Sequence, residues 1–193
     1  MHRIAAFLFV LAITTAPAAA QNAPGADIAF GPAIGETIDI GTLKDQSGAD
    51  RNLADLTGEN GLVLMFVRSA DWCPYCQAQM IDMNGTLPEL ASRGYGMASI
   101  SYDDTDILSR FAMREGIDYA MLYDEGSQVI DRYGLREERY EEGHRAHGVP
   151  KPIVFILGEN GIIEGKLFEE DYRTRPPGEA VVEALDAIDT GGA

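Results

Sequence analysis

Leu62-Val63-Leu64-Met65-Phe66-Val67, then Arg68-Ser69-Ala70-Asp71-Trp72, then Cys73-Pro74-Tyr75-Cys76-Gln77-Ala78-Gln79-Met80 is the stretch on which the fold turns. The apolar run has the length of one strand and no polar alternation, the pattern of a strand buried on both faces. Gln77-Ala78-Gln79-Met80 opens a helical pattern, so Cys73 sits at the turn between strand and helix. The chain has two cysteines in 193 residues, and both are in this motif. At the first turn of a helix, unpaired N–H groups and the positive end of the dipole stabilise a thiolate. In Cys-x-x-Cys motifs this brings the thiol from about 8.5 down to roughly 7 or below. Pro74 suits the first helical position, where its missing N–H costs nothing. Cys76 lies one turn on, on the same face. Cys73 therefore reads as the attacking sulfur and Cys76 as the resolving one.

Outward from this motif, Tyr95–Ser101 and Tyr119–Tyr123 read as strands. Asp103–Glu115 reads as a helix capped by Asp103 or Asp104, and Ser127–Tyr133 as a short helix. Pro152–Leu157 and Ile162–Leu167 flank Gly158-Glu159-Asn160-Gly161, a hairpin signal, and Glu179–Ile188 is an amphipathic helix. Towards the N-terminus, Glu36–Ile40 reads as a strand, Gln46-Ser47-Gly48 as a turn and Leu53–Leu56 as a short helical turn. The Pro74–Ser92 pattern is interrupted by Asn84-Gly85 and Pro88, which predicts a break. The polar stretch 135–149 reads as a solvated loop or helix face. Strands alternating with helices, closed by a hairpin and a helix, give α/β with a mixed sheet and no second domain.

The first twenty residues have the three parts of a secretory signal peptide. They begin with His2-Arg3, continue with an apolar stretch from Ile4 to Ile13, and end with small residues at Ala18 and Ala20. The stretch is too short to span a bilayer as a helix. The expected organisation is a signal peptide at 1–20, a loose lead-in at 21–34 and one domain at 35–190, located in the periplasm or secreted. Losing one arginine and no acid moves the net charge from −16 to −17. That excess of acid argues against nucleic acid and anionic membrane surfaces as partners. Two cysteines are too few to staple a scaffold, so an exported chain keeping one vicinal pair is using it for reaction.

Val67–Cys76, Gly148–Phe155 and Glu159-Asn160-Gly161 resemble the thioredoxin-like superfamily, and within it the redoxin family of the alkyl hydroperoxide reductase and thiol-specific antioxidant type. The resemblance covers roughly residues 33–188. It implies a thioredoxin-like fold, a central mixed β-sheet flanked by α-helices. It also implies that the Lys151–Pro152 bond is cis and lies against Cys73, offering backbone to a bound substrate. Two departures stand out. Thioredoxins carry a buried acid six residues before the first cysteine, where this chain has Val67. Peroxiredoxins show Pro-x-x-x-Thr-x-x-Cys, and alignment on Cys76 puts Ser69 at the proline and Cys73 at the threonine. Pro74-Tyr75 also echoes glutaredoxins, although this chain is longer.

Around the pair, Arg68 is placed either to lower the thiolate pKa or anchor a substrate, or simply to lie at the surface. Trp72 either covers the edge of the site and contacts partners or packs, and Tyr75 is a partly exposed flank. His144 and His147 with the two cysteines raise a zinc or copper site. Two residues between the histidines fall short of the usual three to five, so no metal and no cofactor is assigned. The methionines read as packing. The leading expectation is a thiol–disulfide oxidoreductase acting on protein disulfides or thiols with an unknown electron donor. A thiol peroxidase acting on small hydroperoxides is the alternative, and a metal-carrying dithiol module a third.

Overall fold

The computed structural model describes residues 23–191, so the signal-peptide reading of 1–20 lies outside the described residues. Seven strands form one mixed sheet in the order β2-β1-β5-β4-β3-β6-β7. They are β1 (Leu43–Asp45), β2 (Asp50–Arg51), β3 (Gly61–Phe66), β4 (Tyr95–Ser101), β5 (Ala120–Tyr123), β6 (Ile153–Gly158) and β7 (Ile163–Leu167). β3, β4 and β5 run parallel, and the hairpins β1–β2 and β6–β7 pair antiparallel at the two sides. The helices are α1 (Pro74–Ser92), α2 (Thr105–Glu115), α3 (Gln128–Arg132) and α4 (Gly178–Gly191).

All six residues of β3 are buried, as expected of a strand covered on both sides. Alternate side chains split between two cores. Val63 and Met65 join Met80, Met83, Leu90, Phe111, Val181 and Leu185 from α1, α2 and α4. Leu62, Leu64 and Phe66 join Ile38, Ile130, Leu135 and Phe155 on the other side. Phe66 and Phe155 meet edge to face with centroids 5.8 Å apart.

The structure corrects several sequence expectations. α1 runs unbroken through Gly85 and Pro88. Its side chains explain why: Asn84 donates to the Gly116 carbonyl (2.9 Å) and accepts from the Asp118 amide (2.8 Å). Asp82 accepts from the Gly178 amide at 2.7 Å, tying α1 to the start of α4. These tertiary anchors outweigh the one backbone bond that Pro88 removes. Glu36–Ile40 forms only an isolated bridge, Thr37 to Ile162, because this segment follows the tip of the β6–β7 hairpin. The lead-in is tied down where Lys166, whose burial pushes its pKa below the usual value, donates to the carbonyls of Ile28 and Phe30 at 2.9 Å each.

The described peptide bonds are all trans, so Lys151–Pro152 is not cis. The approach to β6 is instead paired on one side with the segment after α3. The Glu137 amide donates to the Val149 carbonyl (2.9 Å) and the Lys151 amide to the Leu135 carbonyl (2.7 Å), around an Arg136–Pro150 bridge. That pairing carries an extended chain directly into β6.

One buried acid sets the turn between β3 and α1. Asp104 caps α2 by accepting from the Ile107 amide at 2.9 Å, which leaves Asp103 free. Asp103 accepts from the Ala70 amide (2.6 Å) and from the Ser69 hydroxyl (3.0 Å). Ser69 Oγ in turn accepts from the amides of Asp71 (3.0 Å) and Trp72 (3.3 Å). Burial pushes the Asp103 carboxyl up to about 6, against the lowering effect of these donors.

Two outcomes follow. Phe155→Ala costs about 3–5 kcal/mol in denaturant unfolding, while Met113→Ala, at a position 75% exposed, stays within about 0.5 kcal/mol. Asp103 holds its proton more tightly folded than unfolded, so its contribution is full below about pH 4 and is lost as pH rises through about 6. Relative to Asp103→Asn, the wild type therefore loses up to about 3 kcal/mol of stability between pH 4 and pH 7. Unfolding curves of both proteins across that range check this, and parallel pH profiles contradict it.

Candidate active site: the Cys73–Cys76 disulfide and its cleft

Cys73 is the N-cap of α1, with extended backbone (φ −102°, ψ 94°), and Pro74 occupies the first helical position. Its Sγ accepts from the Cys76 amide at 3.2 Å, so an orphan N–H at the start of the helix points at the sulfur. Cys73 and Cys76 form a disulfide with Cα atoms 5.2 Å apart. Gln77 secures this turn by donating to the carbonyls of Ala70 (2.8 Å) and Asp71 (3.0 Å). The two sulfur-bearing residues differ in access. Cys73 is 3% exposed and lines an open cleft, while Cys76 is fully buried.

That cleft, about 390 Å³, is built from three separate segments. The β3–α1 turn supplies Arg68, Trp72 and Cys73, and the first turn of α1 supplies Pro74 and Tyr75. Tyr140, His144, Arg145 and Ala146 come from the segment between α3 and β6, and Tyr172 from the chain after β7. The stretch 135–149 is a loop, exposed over most of 138–147 as its polar sequence implies, and four of its residues also wall the site. A chain of hydrogen bonds locks this wall to the turn: Trp72 Nε1 donates to the Tyr102 hydroxyl (2.8 Å), which donates to the Arg145 carbonyl (2.9 Å). Burial raises the pKa of Tyr102, which keeps its hydroxyl protonated as a donor.

Arg68 is buried at the centre of an aromatic cage. Its guanidinium carbon lies 5.3 Å from the Trp72 ring, 5.2 Å from Tyr140 and 5.3 Å from Tyr172. Its Nη2 donates to the Tyr140 hydroxyl at 2.5 Å, while its buried Nε has no partner. Arg145 covers the Trp72 ring at 5.0 Å. On the far side of the disulfide, Arg175 Nη2 approaches Cys76 Sγ at 3.8 Å. Burial and the neighbouring Arg68 charge lower the Arg175 guanidinium to about 10.

Of the residues singled out from sequence, Arg68, Trp72, Cys73, Pro74 and Tyr75 come together here, with Cys76 directly behind. Lys151 and Pro152 do not line the cleft, and Lys151 Nζ lies over the Phe30 ring at 5.2 Å. His144 stacks on Tyr140 with centroids 4.8 Å apart, and His147 Nδ1 lies 3.0 Å from the Tyr140 carbonyl. Sequence reading missed Tyr102, Asp103, Tyr140, Arg145, Tyr172 and Arg175. All are distant in sequence from the cysteines, and none sits in a motif of its own.

Comparison with known proteins agrees with this fold. The model of the AhpC/TSA family matches residues 34–166. The chain is 31% identical over 133 residues to peroxiredoxin Bcp of Escherichia coli, covering 69% of this chain and 82% of that one. It is 27% identical over 146 residues to the thiol-disulfide oxidoreductase ResA of Geobacillus thermodenitrificans, covering 73% and 75%. Among solved structures, peroxidoxin BcpB of Mycobacterium tuberculosis superposes with a TM-score of 0.67 at 23% identity, over 81% of this chain and 96% of that one. AhpC of Enterococcus faecalis superposes with a TM-score of 0.69 at 21% identity, over 82% and 93%. A vicinal cysteine pair at the mouth of a helix in a mixed thioredoxin-like sheet, matched over most of the chain by this family, makes the protein a member of the AhpC/TSA redoxin family, an oxidoreductase that works through thiols.

Proposed function

We propose that the protein is an exported thiol–disulfide oxidoreductase in which Cys73 meets the substrate and Cys76 resolves. The reduced Cys73 thiolate attacks one sulfur of a substrate disulfide, forming a mixed disulfide and releasing the other half as a thiolate. Cys76 then attacks Cys73 Sγ, releasing the second half and closing the Cys73–Cys76 bond. Two electrons pass from the pair to the substrate, and the reverse sequence oxidises a dithiol. The observation that carries this reading is the unequal placement of the two cysteines: Cys73 lines the cleft, and Cys76 is fully buried and does not. The Cys76 amide 3.2 Å from Cys73 Sγ supports a stabilised thiolate there. The similarity to ResA, named a thiol-disulfide oxidoreductase, supports the same chemistry. Export rests on residues 1–20 of the sequence.

A peroxidase is the second reading, favoured by Arg175 beside Cys76 Sγ and by the peroxiredoxin relatives. There a thiolate of the pair takes the distal oxygen of a hydroperoxide, releasing the alcohol and becoming a sulfenic acid. Its neighbour condenses with it, expelling water, and a thiol donor restores the dithiol.

Both readings meet the same set of proteins. With a disulfide substrate, Cys73→Ser abolishes exchange, and Cys76→Ala accumulates a mixed disulfide visible as added mass in the intact protein. Full exchange by Cys73→Ser rejects Cys73 as the entry sulfur. In stopped flow with hydrogen peroxide, a wild-type rate no faster than that of a free thiol rejects the peroxidase.

A further inference from the structure

The cleft beside Cys73 is lined by two arginines, Arg68 and Arg145, that meet no carboxylate at salt-bridge distance. The chain has 31 acidic residues against 15 Lys and Arg. Arg51, Arg93, Arg114, Arg136, Arg139 and Arg173 each meet a carboxylate. Among the described residues, five arginines, Arg68, Arg110, Arg132, Arg145 and Arg175, have no carboxylate within 4.0 Å. Three of the five, Arg68, Arg145 and Arg175, lie at the disulfide and its cleft.

Arg68 is the most demanding of them. It is 5% exposed, its Nε is buried without a partner, and its cage is made of rings rather than anions. Aromatic faces attract a guanidinium, but they supply no acceptor for an in-plane N–H. A buried cation left without a counter-ion is costly, and a bound anion relieves that cost. Burial first and the Arg68 charge second depress the pKa of Arg175, against an opposing pull from Asp171. Arg145 stands exposed at the rim, over the face of Trp72, where it adds attraction for an incoming anion. A cleft of about 390 Å³ suits a small molecule of a few residues' size rather than a folded surface.

We propose that this cleft recognises its substrate by a carboxylate: a small carboxylate-bearing disulfide pairs its anion with Arg68, with Arg145 at the entrance, and so presents its sulfur to Cys73. The inference rests on the reading of Cys73 as the sulfur that meets substrate, and it adds the chemical class of that substrate. Guanidinium–carboxylate bonds are charge-assisted and directional, so the preference is for a carboxylate over a neutral group of the same shape.

Trp72 is the chain's single tryptophan and lines this cleft, so intrinsic fluorescence reports on it. Titration of the oxidised wild type with benzoate gives a saturable change, and benzamide, its neutral isostere, binds at least about tenfold more weakly. Arg68→Gln and Arg145→Gln each bring benzoate towards the benzamide value, and raised salt weakens benzoate alone. Arg145→Gln, at an exposed position, carries the test if Arg68→Gln fails to fold. In a second arm, the reduced protein meets 3,3′-dithiodipropionate, bis(2-hydroxyethyl) disulfide and cystamine. The anionic disulfide reacts fastest and the cationic one slowest, and the order flattens in Arg145→Gln. Benzoate binding without exchange on any disulfide supports the carboxylate site and rejects the exchange reading. Equal exchange rates on all three, with benzoate no better than benzamide, overturn the carboxylate site and leave the exchange reading standing.

Discussion

The buried carboxylate of Asp103 is the contact on which the rest of the site depends. It takes the amide of Ala70 and the hydroxyl of Ser69, and Ser69 takes the amides of Asp71 and Trp72. With these donors paired, the chain leaving β3 bends once and delivers Cys73 to the start of α1. Without that acceptor, the buried Ala70 amide and Ser69 hydroxyl lose their partner, each at a cost of about 1–3 kcal/mol. The energetic tension is built in, because burial raises the pKa of the same carboxyl that the turn needs as an acceptor.

This acid partly answers the departure seen at Val67. The position six residues before Cys73 is apolar and fully enclosed in the α1-side core. The buried acid of this turn is instead Asp103, just after β4, which acts on the backbone of the turn. It bonds the turn's amide and hydroxyl, so its role is to position Cys73. Two cationic groups stand beside the pair: Arg68 lines the same cleft as Cys73, and Arg175 Nη2 lies 3.8 Å from Cys76 Sγ.

The segment between α3 and β6 shows how a polar sequence becomes a site wall. Leu135 and Val149 are buried and flank an antiparallel bridge, so the ends of the segment are anchored in the sheet. What lies between them is projected over the disulfide, with Tyr140 bonded to Arg68 and the Arg145 carbonyl bonded to Tyr102. Most of its charged side chains are exposed, as their pattern implies. Its aromatic tips and one backbone carbonyl are what bind.

Local patterns were enough for the strand–turn–helix around Cys73, the buried run of β3, the hairpin at Gly158–Gly161 and the mixed α/β class. Each of these follows from periodicity, turn residues or capping within a few positions. The break expected in α1 was a fair reading of Gly85 and Pro88, and it failed because Asn84 and Asp82 are anchored to α2's exit and α4. The Lys151–Pro152 geometry failed likewise, since the pairing of 135–137 with 149–151 lies outside any local window. The sequence by itself determined that two sulfurs sit at the mouth of a helix. Only the tertiary structure decided what surrounds them, because Asp103, Tyr140, Arg145, Tyr172 and Arg175 reach the pair through chain crossings that local pattern does not encode.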